Sequence, residues 1–297
     1  MSSRGSARRY VVTGGNAGLG YFTAEILARR GARVIIAARN AERAERAASS
    51  IRDQVPGAQI ALVRLDLADL ASVRDAAAEL AAEPIDGIVL NAGVLPWDRA
   101  PETRDGFTPV FGTNQLGHFA LLAQIFQTLT PGAGVVSLGS LSYLGQRLHF
   151  DDLMGRRGRP TRYTVYGRSK LAVMTTAIEL DRRARLAGVD VRSVIAHPGY
   201  ATDATSPPRP GITKPASRAY AMLVGGIANS KLQGAEINAH ALLEGRGGEC
   251  WGPDGWFFGL RGRPRVDRLR GPVLDPEAGA RLWAASEELT GMDFRVG

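Results

Sequence analysis

Two tyrosines and one lysine in the segment YTVYGRSK, residues 163–170, are residue types that can transfer protons. Side chains four positions apart share one face of a helix, so a helix here brings Tyr166 next to Lys170. A phenol with its ordinary pKa of about 10 exchanges protons poorly at neutral pH unless the phenolate is stabilised. An ammonium about 4 Å away supplies on the order of 4 kcal/mol of that stabilisation, before desolvation is subtracted. We therefore expect Lys170 to lower the pKa of Tyr166, and Tyr163 to pack just ahead of the helix.

A glycine-rich turn lies in YVVTGGNAGLG, residues 10–20, between a strand-like run and a helical one. Glycine lets the backbone turn sharply and approach a pyrophosphate, and the N-terminus of the next helix supplies N–H groups and a positive dipole end. A purely structural turn is the alternative. Because the strand before it and the helix after it are both present, Gly14, Gly18 and Gly20 predict a site for the phosphates of a dinucleotide.

The second strand-like run ends with Ala37, Ala38 and Arg39. A site for NAD presents a carboxylate to the ribose 2′-hydroxyl at this point, whereas an arginine binds a 2′-phosphate through two donors. We therefore predict NADP(H) as the cofactor, with Arg39 selecting it. A solvated arginine at a strand end is the alternative reading.

Apolar runs of strand length alternate with stretches of helical period up to residue 199. The runs are continuous in Val, Ile and Leu, which is typical of strands buried on both faces of a parallel sheet. They are RRYVVTG (8–14), ARVIIAAR (32–39), QIALVRLD (59–66), GIVLNAG (87–93), GVVSLGS (134–140) and VDVRSVIAHPG (189–199). Helices are expected at 19–30, 41–54, 70–82, 113–129 and 166–186. Ligands of such sheets bind at the edge where the strands end.

After residue 199 a Pro-rich loop, TSPPRPGITKP, interrupts this rhythm. Helices are expected at 216–229, at 233–243 and between Pro276 and Gly291, and GGECWGPDGWFFGLRGRPR holds a further strand. No linker separates domains. We predict an α/β fold in one NADP(H)-binding domain over residues 1–297: a Rossmann-type doubly wound parallel sheet of about seven strands with helices on both faces. A substrate loop at 200–217 and a C-terminal cap at 250–297 complete it.

The glycine spacing TGxxxGxG resembles that of the short-chain dehydrogenase/reductase family rather than the commoner GxGxxG. Further family-like segments follow in the family's order: NAG at 91–93, TNQLGHF at 113–119, GS at 139–140, YGRSK at 166–170 and HPG at 197–199. Between Ser140 and Tyr166 lies a long insertion. Together with RGGECWGPDG and LWAASEELTG near the C-terminus, it resembles the branch of retinol dehydrogenases and light-dependent protochlorophyllide reductases.

The resemblance implies hydride transfer between a nicotinamide and a carbonyl or alcohol, and it implies four catalytic residues. Tyr166 exchanges a proton with the substrate oxygen, and Ser140 hydrogen-bonds the same oxygen. Asn114 holds a water that connects Lys170 to solvent, and Lys170 also holds the ribose hydroxyls of the nicotinamide. Ser142 is the alternative to Ser140 if the strand end is shifted by two residues.

The cofactor site implied by the glycine turn, Arg39 and the resemblance spans most of the motifs. It consists of Gly14, Asn16, Gly18, Leu19, Gly20, Arg39, Asp66, Leu67, Asn91, Ala92, Gly93, Tyr166, Lys170, Pro198, Gly199 and Thr202. Asp66 is the expected adenine contact, with a helix N-cap as the alternative. The family's threonine after PG is expected at position 203, where this chain has Asp203. Either Thr202 takes that role or the nicotinamide is held differently.

The predicted function is an NADP-dependent carbonyl reductase or alcohol dehydrogenase acting on a mostly apolar, medium-to-large substrate, because the resembled branch takes bulky lipophilic molecules. Loop positions for an apolar lid, with core packing as the alternative, are Trp97, Leu144, Tyr200, Trp251, Trp256 and Phe257. Reduction of a carbon–carbon double bond, and a non-redox or sensing protein that binds NADP(H), are the other hypotheses. The substrate and the physiological direction stay open.

The composition argues against several classes of partner and site. The net charge of +8 comes from arginines interleaved with acids, without an aromatic basic stripe, so nucleic-acid binding is not expected. One cysteine excludes an internal disulfide, the four histidines lack ligand spacing for a metal, and a reducing cytoplasm is predicted. Neither a signal peptide nor a membrane span is expected. The resemblance implies a homodimer or homotetramer.

Overall fold

The computed structural model describes residues 7–96, 101–255 and 259–297. Strands and helices alternate along the chain as the apolar runs predict. The first part contains β1 (Arg9–Thr13), α1 (Gly18–Arg29), β2 (Arg33–Ala38), α2 (Ala41–Gln54), β3 (Gln59–Arg64), α3 (Leu70–Leu80), β4 (Ile85–Leu90), α4 (Pro109–Phe111), α5 (Gly117–Ile125) and β5 (Leu129–Leu138). The second part contains α6 (Arg162–Leu186), β6 (Val191–Ala196), β7 (Ala201–Thr202), α7 (Arg218–Gly225), β8 (Asn229–Ser230), α8 (Lys231–Glu244), β9 (Cys250–Pro253), β10 (Pro264–Asp267) and α9 (Pro276–Thr290).

Within the described ranges, eight strands form one sheet in the order β10-β9-β6-β5-β4-β1-β2-β3. All neighbours are parallel except β10, which runs antiparallel to β9. The chain builds outward from β1 to β3 and then restarts on the other side with β4, so the order reverses between β1 and β4. Such a reversal opens a ligand crevice. The doubly wound α/β prediction is confirmed, and the cap adds one strand more than expected.

Both faces of the sheet are buried, which explains why its strands are continuously apolar. Val11 and Ile35 point into a core under α3, α5, α6 and α9. Their neighbours Val12 and Ile36 point into a second core under α1, α2 and α8. Each fully buried aliphatic side chain of this kind contributes about 1.5–3 kcal/mol. The two cores hold the sheet's carboxyl edge, and the residues on it, in fixed positions.

The prediction of a helix over 113–129 is wrong in two respects, the type of helix at its start and the residue at which it ends. A π-helical turn, Gly112–Leu116, joins α4 to α5, and a 3₁₀ turn, Phe126–Thr128, ends the helical run where β5 begins. Helical spacing in a sequence does not distinguish an α turn from a π turn, which adds one residue.

The start of α6 also differs from the prediction. Thr161 accepts a hydrogen bond from the backbone N–H of Thr164 at 3.1 Å, so the helix begins at Arg162 rather than at Tyr166. Tyr163 therefore lies in the first turn of α6 and is 59% exposed. The expectation that Tyr163 packs ahead of the helix is wrong. In the same way α7 ends before the predicted 229, because Asn229 pairs with Ala201 in a short two-stranded sheet.

Candidate active site

A cleft of about 930 Å³ opens at the carboxyl edge of the sheet. Parallel strands deliver their ends to one edge, so segments far apart in sequence meet there. The cleft is lined by residues that follow each of the first six strands: Gly14, Arg39, Asp66, Asn91, Ser140 and Pro198. This is the place where the sequence predicts a bound ligand.

The glycine turn shapes one end of the cleft. Gly18 has φ +57°, a left-handed conformation that favours glycine. A Cβ on Gly20 would overlap the carbonyl of Gly14 and the amide of Asn91, so only glycine allows this approach. The N-cap of α1, Ala17, offers no side-chain acceptor, and the first turn contains no acidic residue. The first N–H groups of α1 and its positive dipole end therefore suit an anion such as a pyrophosphate.

Arg39 lies at the opposite lip, at the end of β2. Its side chain is 73% exposed, and its guanidinium is 3.9 Å from the carboxylate of Asp66. A pair this long and exposed holds the arginine weakly and leaves its donors open to a ligand. Asp66 accepts a hydrogen bond from the N–H of Ala68, while Asp69 caps α3 by accepting from Ala71 and Ser72. The N-cap alternative for Asp66 is therefore wrong.

Tyr166 and Ser140 meet in the deeper part of the cleft. The Ser140 hydroxyl lies beside the phenol of Tyr166, close enough to favour its ionised form. It also accepts a hydrogen bond from the hydroxyl of Ser142 at 3.0 Å. Ser142 therefore holds the Ser140 hydroxyl in place, and Ser140 is the serine beside the tyrosine. The two hydroxyls can bind one substrate oxygen together.

Burial raises the pKa of Tyr166, and the neighbouring Ser140 hydroxyl only partly opposes this. The expectation that Lys170 lowers this pKa is wrong for the arrangement described. The Lys170 ammonium lies 5.6 Å from the centre of the Tyr166 ring, and burial of the phenol is the largest cause of the shift in its pKa. Tyr166 is therefore a neutral phenol at pH 7, which can donate a proton.

Lys170 is buried one turn along α6, where it donates a hydrogen bond to the carbonyl of Leu138 at 2.8 Å. Its burial lowers its pKa to about 8. A lysine in this state stays mostly charged at neutral pH but releases a proton more readily than an exposed one. The amine can therefore both hold an acceptor group and exchange protons.

Asn114 lies in the π-helical turn, behind the wall of the cleft. Its amide nitrogen donates to the carbonyl of Val94 at 3.1 Å and to Ser169 at 3.2 Å, and its oxygen accepts from the N–H of Val94 at 2.8 Å. One lone pair of Oδ1 remains open to another donor. A Cβ on Gly93 would lie 3.2 Å from that oxygen and 4.0 Å from the Lys170 amine. The glycine therefore leaves space between Asn114 and Lys170.

Most of the predicted residues line the cleft. Those that do are Gly14, Asn16, Leu19, Arg39, Asp66, Leu67, Asn91, Ala92, Gly93, Ser140, Tyr166, Lys170, Pro198 and Gly199. Four predicted residues are not among the lining residues: Gly18, Gly20, Asn114 and Thr202. The two glycines allow the tight backbone turn beside the cleft, and Asn114 lies behind the residues that line the cleft. Asn114 would therefore act on a ligand indirectly, whereas Gly18 and Gly20 belong to the first turn of α1, whose N–H groups face an anion site.

Thr202 and Asp203 both have partners outside the predicted nicotinamide contact. The hydroxyl of Thr202 accepts a hydrogen bond from the N–H of Ala204 at 3.2 Å and so caps a 3₁₀ turn. Asp203 forms an ion pair with Lys231, with 3.0 Å between Oδ1 and Nζ. Position 203, where the family has a threonine, therefore holds the acidic partner of an ion pair with Lys231.

Sequence reasoning did not assign four lining residues to the site: Tyr163, His197, Lys231 and Leu260. Tyr163 precedes Tyr166 by three positions, a helical spacing that could have indicated a shared face. His197 is buried, and its Nε2 lies 3.0 Å from Asp267, so it ties the cap to the cleft.

The predicted aromatic lid is only partly described. Tyr200 lines the cleft, whereas Trp251 packs on the core under α8 and its indole N–H donates to Glu249 at 3.0 Å. Trp251 is therefore a packing residue, as the alternative reading stated. Trp97, Trp256 and Phe257 lie outside the described residues.

A doubly wound sheet with a glycine turn at its first helix, and a serine, tyrosine and lysine in the same cleft, defines a Rossmann-type α/β protein. A sequence profile of the short chain dehydrogenase family matches residues 8–210. The chain belongs to the short-chain dehydrogenase/reductase family, within its retinol dehydrogenase-like branch.

Two relatives illustrate this branch. The chain is 39% identical over 197 residues to retinol dehydrogenase 13 of Homo sapiens, covering 64% of this chain and 58% of that protein. It is 34% identical over 293 residues to polyprenol dehydrogenase of Mus musculus, covering 95% of this chain and 83% of that protein. The match to retinol dehydrogenase 13 therefore spans less than two thirds of that protein's length.

Two solved structures have the same fold. An uncharacterised protein from Mycobacterium Paratuberculosis superposes with a TM-score of 0.79 at 34% identity, over 97% of this chain and 95% of that chain. A short chain dehydrogenase from Burkholderia cenocepacia J2315, in complex with NADP, has a TM-score of 0.59 at 25% identity, over 80% of this chain and 92% of that chain.

Proposed function

We propose that this chain is an NADP(H)-dependent oxidoreductase that interconverts a carbonyl and an alcohol on a mostly apolar substrate. One observation carries the proposal. The neighbouring hydroxyls of Ser140 and Tyr166, with Lys170 one turn away, lie in the same cleft as the glycine turn of α1. A proton donor and a dinucleotide cradle in one cleft are the parts that carbonyl reduction requires.

The cofactor, when bound, supplies or accepts the hydride. The protein's part is to hold the substrate oxygen and to move a proton. Ser140 and Tyr166 bind the oxygen together, and the Tyr166 phenol gives it a proton as negative charge develops. Burial favours the protonated phenol, so we expect the rate of reduction to change little with pH near neutrality. Oxidation of an alcohol needs the phenolate, and its rate rises as the pH is increased.

Proton supply to Tyr166 is assigned to Lys170 and the space beside it. The amine has a pKa of about 8 and lies near the open lone pair of Asn114. A water accepted there would connect the amine to solvent. Asn114 and Lys170 thus keep the roles expected from the family resemblance.

Arg39 is assigned to the 2′-phosphate of NADP(H). Its guanidinium is exposed at the lip of the cleft beside Asp66, and a guanidinium binds a phosphate with two parallel hydrogen bonds. The structural relative from Burkholderia cenocepacia carries NADP, which supports the assignment.

The substrate is proposed to be apolar because apolar side chains are exposed at the mouth of the cleft. Leu95, Tyr163 and Tyr200 line it and are 53%, 59% and 45% exposed. Exposed apolar clusters of this kind often mark ligand entrances. Retinol dehydrogenase 13 and polyprenol dehydrogenase are named for alcohols, which supports a carbonyl–alcohol pair here.

Arg39 should determine how strongly the protein prefers NADPH to NADH during turnover. With long-chain aldehydes and ketones, the wild-type chain should consume NADPH with a kcat/KM at least about tenfold above that for NADH, because Arg39 contributes a charge-assisted bidentate contact. Arg39→Asp should lower kcat/KM with NADPH by about 100-fold, since it also places a carboxylate against the phosphate. The loss of reduced nicotinamide absorbance measures both rates.

Arg43→Asp is the matched control, because it makes the same charge change on the exposed surface of α2, and it should alter the NADPH rate by less than about threefold. Equal losses with NADPH and NADH in Arg39→Asp would remove Arg39 as the selector. No consumption of either cofactor with any carbonyl compound would overturn the proposed function.

Cytoplasmic location, a homodimeric or homotetrameric state and the lack of nucleic-acid binding stay predictions from the sequence. Among the helices that the structure describes, none is long and apolar enough to cross a membrane.

A further inference from the structure

Lys231 lies where no motif predicts a functional residue. It is the first residue of α8, and Ser230 and Gln233 fix that helix start through a reciprocal capping box. Its side chain crosses to the glycine turn, where its amine would be 3.4 Å from a Cβ on Gly18. The amine thus lies against the first residue of α1 and lines the cleft.

The electrostatics of this position disfavour a cation unless an anion is near. Lys231 stands at the positive dipole end of its own helix, and its amine reaches the positive end of α1. Neither helix has an acidic residue in its first turn. A lysine at this point is therefore most stable when an anion binds between the two helix ends.

Asp203 supplies part of that negative charge. Its Oδ1 is 3.0 Å from the Lys231 amine, yet this buried oxygen accepts no well-aligned hydrogen bond. The loop around Asp203 is fastened to the start of α8, because the N–H of Lys231 donates to the hydroxyl of Ser206 at 2.8 Å. The amine is thereby held close to the glycine turn before any ligand binds, which reduces the entropy lost on binding.

We propose that Lys231 binds the pyrophosphate of the dinucleotide at the glycine turn, with Asp203 holding its amine in place. This inference rests on the proposed function, because it assigns a further contact to the same cofactor. It also gives a role to Asp203 at the position where the family has a threonine. The cofactor's phosphates are then bound by the N–H groups of α1 and by one lysine cation.

Direct binding measurements test this assignment without turnover. Wild-type protein, Lys231→Met, Lys231→Arg and Lys214→Met are titrated with NADPH, with 2′-phospho-ADP-ribose and with 2′-AMP by calorimetry. 2′-Phospho-ADP-ribose contains the pyrophosphate but no nicotinamide, and 2′-AMP contains neither. Lys214→Met is the matched control, since Lys214 is exposed and does not line the cleft.

Lys231→Met should weaken NADPH and 2′-phospho-ADP-ribose equally, by about 10- to 100-fold, the loss of one charge-assisted contact. Its affinity for 2′-AMP, and all affinities of Lys214→Met, should stay within about twofold of wild type. Lys231→Arg should recover most of the lost affinity.

Three results would overturn the inference. These are wild-type affinity for NADPH in Lys231→Met, a loss confined to NADPH, and a loss for 2′-AMP as large as that for NADPH. In each case wild-type binding of NADPH would leave the proposed function intact. Failure of the wild-type protein to bind NADPH would instead remove the proposed function, and this inference with it.

Discussion

Tyr166→Phe is expected to lower kcat for carbonyl reduction by about 1,000-fold or more, the upper range for loss of a positioned general acid. The substitution removes one hydroxyl from a partly buried ring and leaves its packing in α6 unchanged. Ser140 keeps its hydrogen bond with Ser142 in the variant. We therefore expect the dissociation constant of NADPH to change by less than about twofold. Stopped-flow or steady-state rates, with NADPH binding measured in parallel, check both expectations.

Tyr163→Phe is the control for this experiment, because it makes the same change three positions earlier on the same helix. Tyr163 lines the cleft but is exposed, and the phenol beside Ser140 belongs to Tyr166. Its kcat should stay within about threefold of wild type, even if KM for an apolar substrate changes. Near-normal kcat in Tyr166→Phe, or a loss of the same size in both variants, would contradict the assignment of Tyr166 as proton donor.

Lys170→Met is expected to lower the activity of the protein and to raise its stability. The loss of the buried amine should lower kcat by about 100-fold or more, since it removes both a cofactor contact and the proton supply. Burial of the charged amine, whose pKa falls from 10.5 to about 8, costs about 3 kcal/mol at pH 7. The lost hydrogen bond to Leu138 offsets about 1 kcal/mol of the gain. We expect the free energy of unfolding of the variant, at pH 7 and without cofactor, to be about 2 kcal/mol higher than that of wild type.

The stability difference should depend on pH in a defined direction. Below pH 8 the lysine is charged in both the folded and the unfolded state, and folding carries the full desolvation penalty. Between about pH 8 and 10.5 the unfolded chain binds more protons at this residue, so wild-type stability rises relative to the variant. Urea unfolding of both proteins at pH 7 and pH 9.5 measures the change. A variant that is less stable than wild type at pH 7, or that keeps full activity, would contradict this description of Lys170.

The first six strands of the sheet were predictable because each of them carries the same signal. Val11 and Val12 are neighbours that are buried on opposite faces, which makes the strand apolar throughout. β10 carries no such signal, since Arg265 and Val266 at its centre are exposed. Its place at the sheet edge depends on contacts distant in sequence, such as that of Asp267 with His197. A local pattern does not contain that information.

The candidate site was predictable where a motif carries the residue and not where tertiary contact does. Ser140, Tyr166 and Lys170 follow from motifs, and all three line the cleft. Lys231 reaches Gly18 across more than two hundred residues of chain, which only the fold determines. The capping box of Ser230 and Gln233 would have placed Lys231 at a helix start but not in the cleft.

For Tyr166, residue spacing predicts the neighbouring lysine but not the direction in which the pKa is shifted. Four positions along a helix correctly place Lys170 one turn from the phenol. The degree of burial, and the Leu138 carbonyl that holds the amine, decide the direction of the shift, and neither is visible in the segment YTVYGRSK. The consequence for function is a tyrosine suited to donate a proton rather than one suited to accept it.

Hydride tracing tests the central claim most directly. The wild-type protein is supplied with NADPH carrying deuterium at the transferable C4 position of the nicotinamide, and with a long-chain α,β-unsaturated aldehyde. This substrate offers both a carbonyl and a carbon–carbon double bond. We expect the label on the carbinol carbon of an unsaturated alcohol, identified by mass spectrometry and NMR. Label on a saturated carbon beside an intact aldehyde, or no transfer of label to any product, would contradict the assignment as a carbonyl reductase.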